Sequence, residues 1–459
     1  MASFSISEII KATGGTIVQN GEAASAGGVS TDTRSITKGE LFIPLIGENF
    51  DGHKFLGKAV SSGAACVLVS EREAAEGLPS GVTVIAVRNT LQALEALARF
   101  HRLRFSIPVV AVTGSNGKTT TKDMTTAVLK TVFHVCATKK NFNNEIGLSQ
   151  TLLGLTEEDE ACVVEMGMRG FGQIDELCRI ALPTAGIVTN VGTSHIGLLG
   201  SRENIAKAKS ELVQNLPKDG TAILNGDDPL VRRMGESFAG NVLTFGIENP
   251  SDVKGSNLEF GGEETDFQCV GKDVSFPVHL RLLGIHNVYD ALAAATVGML
   301  LGVPPEKIKN ALESFVPQGA SQKLYRLAGA LVLDDSYNAN PLSVEMAFRA
   351  LFQLKAERRI LVLGDMLELG DFAEDLHYQI GKKAAGYKAD VLVTVGPLSR
   401  MTAKGARDGG MQEVVCCDTC AEAASYLKHH AGEGDAVLIK GSHAMHMETI
   451  KGLWEGDPE

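Results

Sequence analysis

One stretch limits what this chain can fold into: Ile107 to Val132, IPVVAVTGSNGKTTTKDMTTAVLKTV. Val109, Val110, Ala111 and Val112 make an apolar, mostly β-branched run that stops at Thr113-Gly114. Beyond Gly117-Lys118-Thr119-Thr120, the residues Met124, Val128 and Val132 recur at the spacing of one helical face. The pattern predicts a strand, a tight loop and a helix. Backbone N–H groups of such a loop, with the positive end of the helix dipole, form a concave site for phosphate oxygens. Lys118 adds a full charge, placed to reach terminal phosphates, and the hydroxyl after it, Thr119, is placed to hold Mg2+. The spacing is a variant, because GxxxxGK[ST] needs glycine at Val112 and this chain offers the shorter Thr113-Gly114-Ser115-Asn116-Gly117-Lys118-Thr119-Thr120. A nucleoside triphosphate site is the expectation.

With 459 residues the chain has room for about three domains, and its 44% apolar content can build ordinary cores. A net charge of -12 and a pI near 5.5 exclude a general nucleic-acid binder, which needs clustered basic surface to displace counterions. Any anionic ligand must be met locally. The N-terminal MASFSISEIIKATGG has no basic-then-apolar signal pattern, and the longest weakly polar run, Ala291 to Val303, is too short to cross a bilayer. No membrane association and a cytoplasmic location are expected. The eight cysteines sit mostly in apolar contexts, as small buried residues of a reducing compartment do.

Residues 1–83 read as a small α/β unit: a helix near Ser7 to Ala12, a strand at Leu41 to Leu45 and another at Ala65 to Val69. Its polar patches are Ser30-Thr31-Asp32-Thr33-Arg34-Ser35 and Asn49-Phe50-Asp51-Gly52-His53. A connector helix follows over Asn89 to Arg104. Residues 84–315 then alternate strands and helices, with strands ending at Glu165, Asn190 and Asn225 and an antiparallel excursion over 241–282. Residues 316–459 repeat the pattern, with strands running into Asp334-Asp335, Gly364-Asp365, Gly396 and Lys440-Gly441-Ser442. The fold class is therefore α/β in three domains: a small N-terminal one, a central parallel-sheet nucleotide-binding one, and a C-terminal doubly wound one. Ligands of such sheets sit beyond the carboxyl ends of the strands.

Phosphoryl transfer needs cations to neutralise the migrating group, so ligands should stand at strand ends beside the phosphate loop. Glu165 and His195 follow consecutive predicted strands and meet that requirement. Lys209, in Ala206-Lys-Ala-Lys-Ser-Glu211, reads on composition alone as a solvated helix charge.

Taken together, TGSNGKTT at 113–120, Asn141-Phe-Asn143-Asn144-Glu-Ile-Gly147, Val164-Glu165-Met-Gly, Thr189-Asn-Val-Gly-Thr-Ser-His195, Ala208-Lys209-Ser-Glu, Gly284-Ile-His-Asn287, DDSYNANP at 334–341, GDMLELG at 364–370 and Lys440-Gly-Ser442 resemble the Mur ligases. These are the ATP-dependent amide-forming enzymes of peptidoglycan precursor synthesis. The resemblance covers all three units in order. With Ser-Thr-Asp-Thr-Arg and Asp-Gly-His it is nearest to the members that add D-alanyl-D-alanine to UDP-N-acetylmuramoyl-tripeptide. It implies transfer of the ATP γ-phosphoryl group to the tripeptide carboxylate, then displacement of phosphate by the dipeptide amine.

By the same resemblance Lys118 would stabilise phosphate charge, Thr119 and Glu165 would hold one Mg2+, and His195 with a carbamylated Lys209 a second. Residues 113–120 would cradle the phosphates, Asn287 would meet adenine and Asp335 the ribose. Asp32, Thr33 and Arg34 would lie along the UDP-sugar, and Asn143 and Asn144 near its muramoyl or peptide part. Asn338, Asn340, Lys440 and Ser442 would face the cleft from the third domain. A monomer is expected. Three positions depart from the family pattern: Ser321-Gln322-Lys323 where an arginine is usual, His443 for another arginine, and Asp290 for the second asparagine of the HNxxN-like segment. The alternatives are a diaminopimelate- or lysine-adding ligase, a folylpolyglutamate-type synthetase, and, from another class, an NTP-hydrolysing binding protein.

Overall fold

The computed structural model describes residues 2–317 and 322–456. The Ser321 position named above lies outside them.

After a two-residue strand, Phe4–Ser5, the chain forms the helix Ile6–Thr13, fixed at its start by a capping box in which Ser5 and Glu8 satisfy each other's backbone N–H groups. The first sheet has five strands, in the order Thr16–Gln19, Thr83–Ala86, Cys66–Val69, Leu41–Phe42, Val29–Ser30. Because Thr83–Ala86 is its second strand, the expected division after residue 83 cuts an element and belongs beyond it. The expected strand at Leu41 to Leu45 shortens to two residues; Pro44 has no N–H to give a ladder. Asn89 caps the connector helix Thr90–Arg102, whose buried Arg102 donates to the carbonyls of Ala181 and Ile107. A basic helix end thus becomes a bolt into the central domain.

The central sheet has nine strands, in the order Val135–Ala137, Ala161–Glu165, Val109–Thr113, Ala185–Val188, Thr221–Asn225, Asn241–Gly246, Val253–Gly261, Glu264–Val270 and Ser275–Leu280. The first seven are parallel and the last two pair antiparallel. Residues 241–282 therefore extend the main sheet, and only its far edge is an antiparallel meander. Val109–Thr113 is wholly buried because helices cover both faces. Val110 and Val112 pack on Met124 and Val128 of the helix Lys118–Leu129 and on Val288 and Leu292 of the helix Ile285–Leu300. Val109 and Ala111 face the opposite cluster with Leu94, Leu148 and Leu152. Period-two alternation with apolar residues on both sides is what a doubly covered parallel strand requires.

The third sheet runs Lys323–Leu327, Ala330–Asp334, Asp435–Lys440, Arg358–Gly364, Val391–Val395, Glu413–Cys417. All pairs but the first are parallel. The last strand in sequence inserts between the first two parallel ones, which creates a topological switch point. The loops after Asp334, Lys440 and Gly364 meet there, where ligands of open parallel sheets bind. Among the described residues no helix is long and apolar enough to cross a membrane.

Candidate active site

The helix Lys118–Leu129 begins at Gly117, which has a φ of 81° and no side chain to cap the first N–H groups. The free helix end therefore opens onto a cleft of about 790 Å3 between the central and third lobes. A Cβ on Gly114 would fall 1.8 Å from Thr189 Oγ1, and one on Gly117 2.4 Å from Asp290 Oδ1, so the loop can pass between these neighbours only as glycine. Asn190 clamps the loop from the adjacent strand end: its side-chain oxygen accepts from Asn116 N–H at 3.0 Å and its amide donates to Asn116 O at 3.0 Å. Thr113 stands behind, donating to Met166 O.

Lys118 folds back over this loop and donates to Gly114 O at 3.0 Å and Ser115 O at 3.3 Å. Removal from water lowers its pKa, with the Glu165 charge opposing. Thr119 donates to Glu165 Oε2 at 2.9 Å, and Asn143 Nδ2 donates to Glu165 Oε1 at 2.8 Å. Lys209 is buried, and burial, then the nearby Lys118 charge, hold its amine well below the usual lysine range. His195, at the start of the short helix Ile196–Leu199, is also lowered by burial, with Glu368 raising it and Lys118 and Lys209 lowering it further. The loss of hydration cost outweighs the partner carboxylate, which favours a neutral imidazole.

From the third lobe, Asn340 reaches the phosphate loop. Its amide donates to Asn116 Oδ1 at 2.7 Å and to Ser194 Oγ at 3.0 Å, while its oxygen caps the helix Pro341–Gln353 through Ser343 N. Lys440 is buried and spent on its own lobe, donating to Asp335 Oδ2 at 2.5 Å and Asn338 O at 2.9 Å. Ser442 accepts from Leu367 N, so it ties two third-lobe loops together.

Of the residues expected from sequence, Ser115, Asn116, Gly117, Lys118, Thr119, Thr120, Asn287, Asp335, Asn338, Asn340 and Lys440 line this one cleft. Glu165 joins it through Thr119. Asp32, Thr33 and Arg34 lie apart on a turn of the N-terminal lobe, where Arg34 pairs with Asp32 at 2.7 Å and draws its carboxyl down to about 2. Asn144 is occupied as the cap of the helix Glu145–Leu153, accepting from Gly147 N. Lys209, which composition alone would leave as a solvated charge, is buried instead, and Ala206 and Ala208 on its helix pack inward with it.

The far end of the cleft was not legible beforehand. Phe245, Leu282 and Tyr289 line it beside Asn225 and Asp227, and the Asp227 carboxylate takes the Tyr289 hydroxyl and the N–H groups of Ile247, Glu248 and Asn249. The strand end at Asn225-Gly-Asp-Asp was its one sequence signal. His286, buried beside Asn287, is pushed down to about 4 by burial. Asp290, which stands for the usual asparagine, accepts from Thr121 at 2.8 Å, and burial pushes its carboxyl up to about 7.

A parallel-sheet lobe with a phosphate loop, faced across one cleft by a second parallel-sheet lobe, is the arrangement of an enzyme that transfers a phosphoryl group between substrates held by two lobes. The sequence matches the Mur ligase family catalytic domain over 26–102, the Mur ligase middle domain over 112–298 and the Mur ligase glutamate ligase domain over 321–443. The chain belongs to the Mur ligase family. It is 39% identical to the UDP-N-acetylmuramoyl-tripeptide--D-alanyl-D-alanine ligase of Bacillus subtilis over 426 residues, 92% of each chain. The crystal structure of MurF from Acinetobacter baumannii superposes with a TM-score of 0.92 at 30% identity, covering 99% of both chains. MurF ligase from Thermotoga maritima, solved in complex with ADP, gives 0.84 at 27% identity over 94% of this chain and 97% of that one.

Proposed function

We propose that this protein uses ATP to join D-alanyl-D-alanine to UDP-N-acetylmuramoyl-tripeptide through an acyl phosphate, giving the pentapeptide precursor of peptidoglycan. The full-length relationship to the Bacillus subtilis ligase of that name carries the reading. A carboxylate is a poor electrophile, and phosphorylation gives it a leaving group. The tripeptide carboxylate oxygen bonds to the γ-phosphorus as ADP departs. The amine of the dipeptide then attacks the acyl carbon, and phosphate leaves with the C–O electron pair.

In this reading residues 113–120 hold the polyphosphate on backbone N–H groups, and Lys118 swings from its carbonyl partners to the transferring group. Asn287 and Asp335 face the nucleoside, with the apolar end of the cleft for the base. Asp32, Thr33 and Arg34, with Asn143 and Asn144, serve the UDP-sugar substrate, and Asn338, Asn340, Lys440 and Ser442 build the third-lobe wall.

The donor set fits Mg2+. Thr119 Oγ1 and Glu165 Oε2, hydrogen-bonded to each other at 2.9 Å, are hard oxygen donors of the kind Mg2+ takes and would hold one ion. Burial, then the Lys118 charge, lowers the Lys209 pKa and so favours the neutral amine that carbamylation requires; carbamylated, Lys209 would form with His195 the second ligand pair. Bound there, Mg2+ would neutralise charge on the migrating phosphoryl group. A monomer in the cytoplasm completes this reading; the eight free cysteines suit a reducing compartment.

The test is phosphate release by the purified chain. It should require ATP, Mg2+, UDP-tripeptide and D-alanyl-D-alanine together; steady release without the dipeptide, or equal use of diaminopimelate or lysine with a UDP-dipeptide, would refute the reading.

A further inference from the structure

GDMLELG at 364–370 places one carboxylate on the other lobe's histidine. Glu368 Oε2 lies 2.6 Å from His195 Nδ1, and its Oε1 lies 3.5 Å from Arg169. Nδ1 is buried and, among the described residues, makes no well-aligned hydrogen bond: the Glu368 oxygen is within reach but off the N–H direction. The backbones meet as well: Gly197 N–H donates to Glu368 O at 3.3 Å. A Cβ on Gly197 would stand 2.5 Å from Gly370 N, and one on Gly370 would stand 2.8 Å from Gly197 Cα. Two glycines thus let main chain touch main chain across the lobe boundary, the separation at which a glutamate at 368 reaches the ring. Both His195 and Glu368 have a φ of 62°, a left-handed conformation that costs free energy for residues with a Cβ. The strain on both sides is spent on one contact.

An imidazole that binds a cation through one nitrogen usually gives its other N–H to a carboxylate, which fixes the tautomer and raises the basicity of the ligating nitrogen. We propose that Glu368 is a positioning residue of this kind: reaching from the third lobe, it holds the proton of His195 on Nδ1, leaves the lone pair on Nε2, and thereby completes the second cation site only when the lobes are docked. The proposal rests on the reading of His195 as a cation ligand. It gives the docked state a consequence beyond shielding the reaction from water: a protein whose lobes are apart binds ATP with its first cation site formed and its second unfinished.

Glu368 is 42% exposed, so its replacement leaves the cores intact. Glu368→Ala, Glu368→Gln and His195→Ala are compared in the full-length protein by two readouts. In metal-free protein, 15N shifts of the His195 ring report the tautomer. The Nδ1–H form is expected in the wild type and in Glu368→Gln, whose amide oxygen still accepts, and a mixture in Glu368→Ala. In Mn2+ titrations with a non-hydrolysable ATP analogue, followed by electron paramagnetic resonance, Glu368→Ala is expected to weaken one class of Mn2+ about tenfold to a hundredfold and leave the other unchanged. Glu368→Gln should restore most of that loss. Unaltered tautomer and unaltered Mn2+ binding in Glu368→Ala would overturn the proposal. Unaltered Mn2+ binding in His195→Ala would instead remove the reading of His195 as a ligand, and the proposal with it.

Discussion

Around Lys118 the polar side chains are already bound to one another, whereas Arg34 on the N-terminal lobe is 83% exposed with Asp32 beside it. Thr119, Asn143 and Glu165 form a closed set, and Asn116 is held from both sides by Asn190 and Asn340. One region is held by side chains from several elements at once; the other is a solvent-exposed pair on a single turn. Preorganised dipoles stabilise developing charge without reorganising at the moment of reaction, so chemistry belongs in the first kind of region. Recognition of a long, flexible UDP-peptide tolerates the second. Substitutions near Lys118 should therefore change turnover, and substitutions near Arg34 should change substrate affinity.

The largest expected effect is Lys118→Ala, which should cut kcat/KM by about 10^2 to 10^3-fold with the circular dichroism spectrum unchanged. Retained turnover would erase the contrast between the two regions.

Asp290→Asn comes next and acts through pH. Burial raises the Asp290 carboxyl from an ordinary 3.8 to about 7, so between these values the unfolded chain has lost a proton that the native protein keeps. Stability is then lost as pH rises through this window, and the variant, free of the penalty, should gain on the wild type by up to about 4 kcal/mol by pH 8 and by nothing below pH 4. Denaturant unfolding at pH 4, 6 and 8 measures it; a gain independent of pH would mean that the site carries an ordinary ionised aspartate.

Asn340→Ala removes both a helix cap and the link to Asn116 and Ser194, and should cost about 1 to 2 kcal/mol of stability. Small-angle scattering should then show a less compact particle without nucleotide. Smallest is Arg34→Ala: an unchanged melting temperature and a rise of roughly tenfold in KM for the UDP-tripeptide, with kcat kept. A fall in kcat there would mean that the exposed turn takes part in chemistry.

How much of this was legible beforehand follows the range of the interactions. The phosphate loop is local, since strand, glycines, lysine and helix are adjacent in sequence, and the alternation of strands and helices after it already implied a sheet covered on both faces. The strand Lys323–Leu327 escaped because an edge strand with half-buried alternation has little apolar signal. Burial of Lys209 depends on what its helix packs against, which residue spacing alone does not show. The Asp227–Tyr289 end of the cleft joins residues 62 apart in sequence, and the Glu368–His195 contact joins different lobes. The cap role of Asn144 could have been read from its place before Glu145-Ile-Gly147-Leu148, where asparagine is a favoured helix start.

The most direct test of the account labels the chemistry itself. UDP-tripeptide carrying 18O in its terminal carboxylate is turned over with ATP, Mg2+ and D-alanyl-D-alanine, and the released phosphate is examined by 31P NMR. An acyl phosphate transfers one carboxylate oxygen to each phosphate, so fully labelled carboxylate should give phosphate with a single 18O. Unlabelled phosphate from the same complete reaction would contradict it.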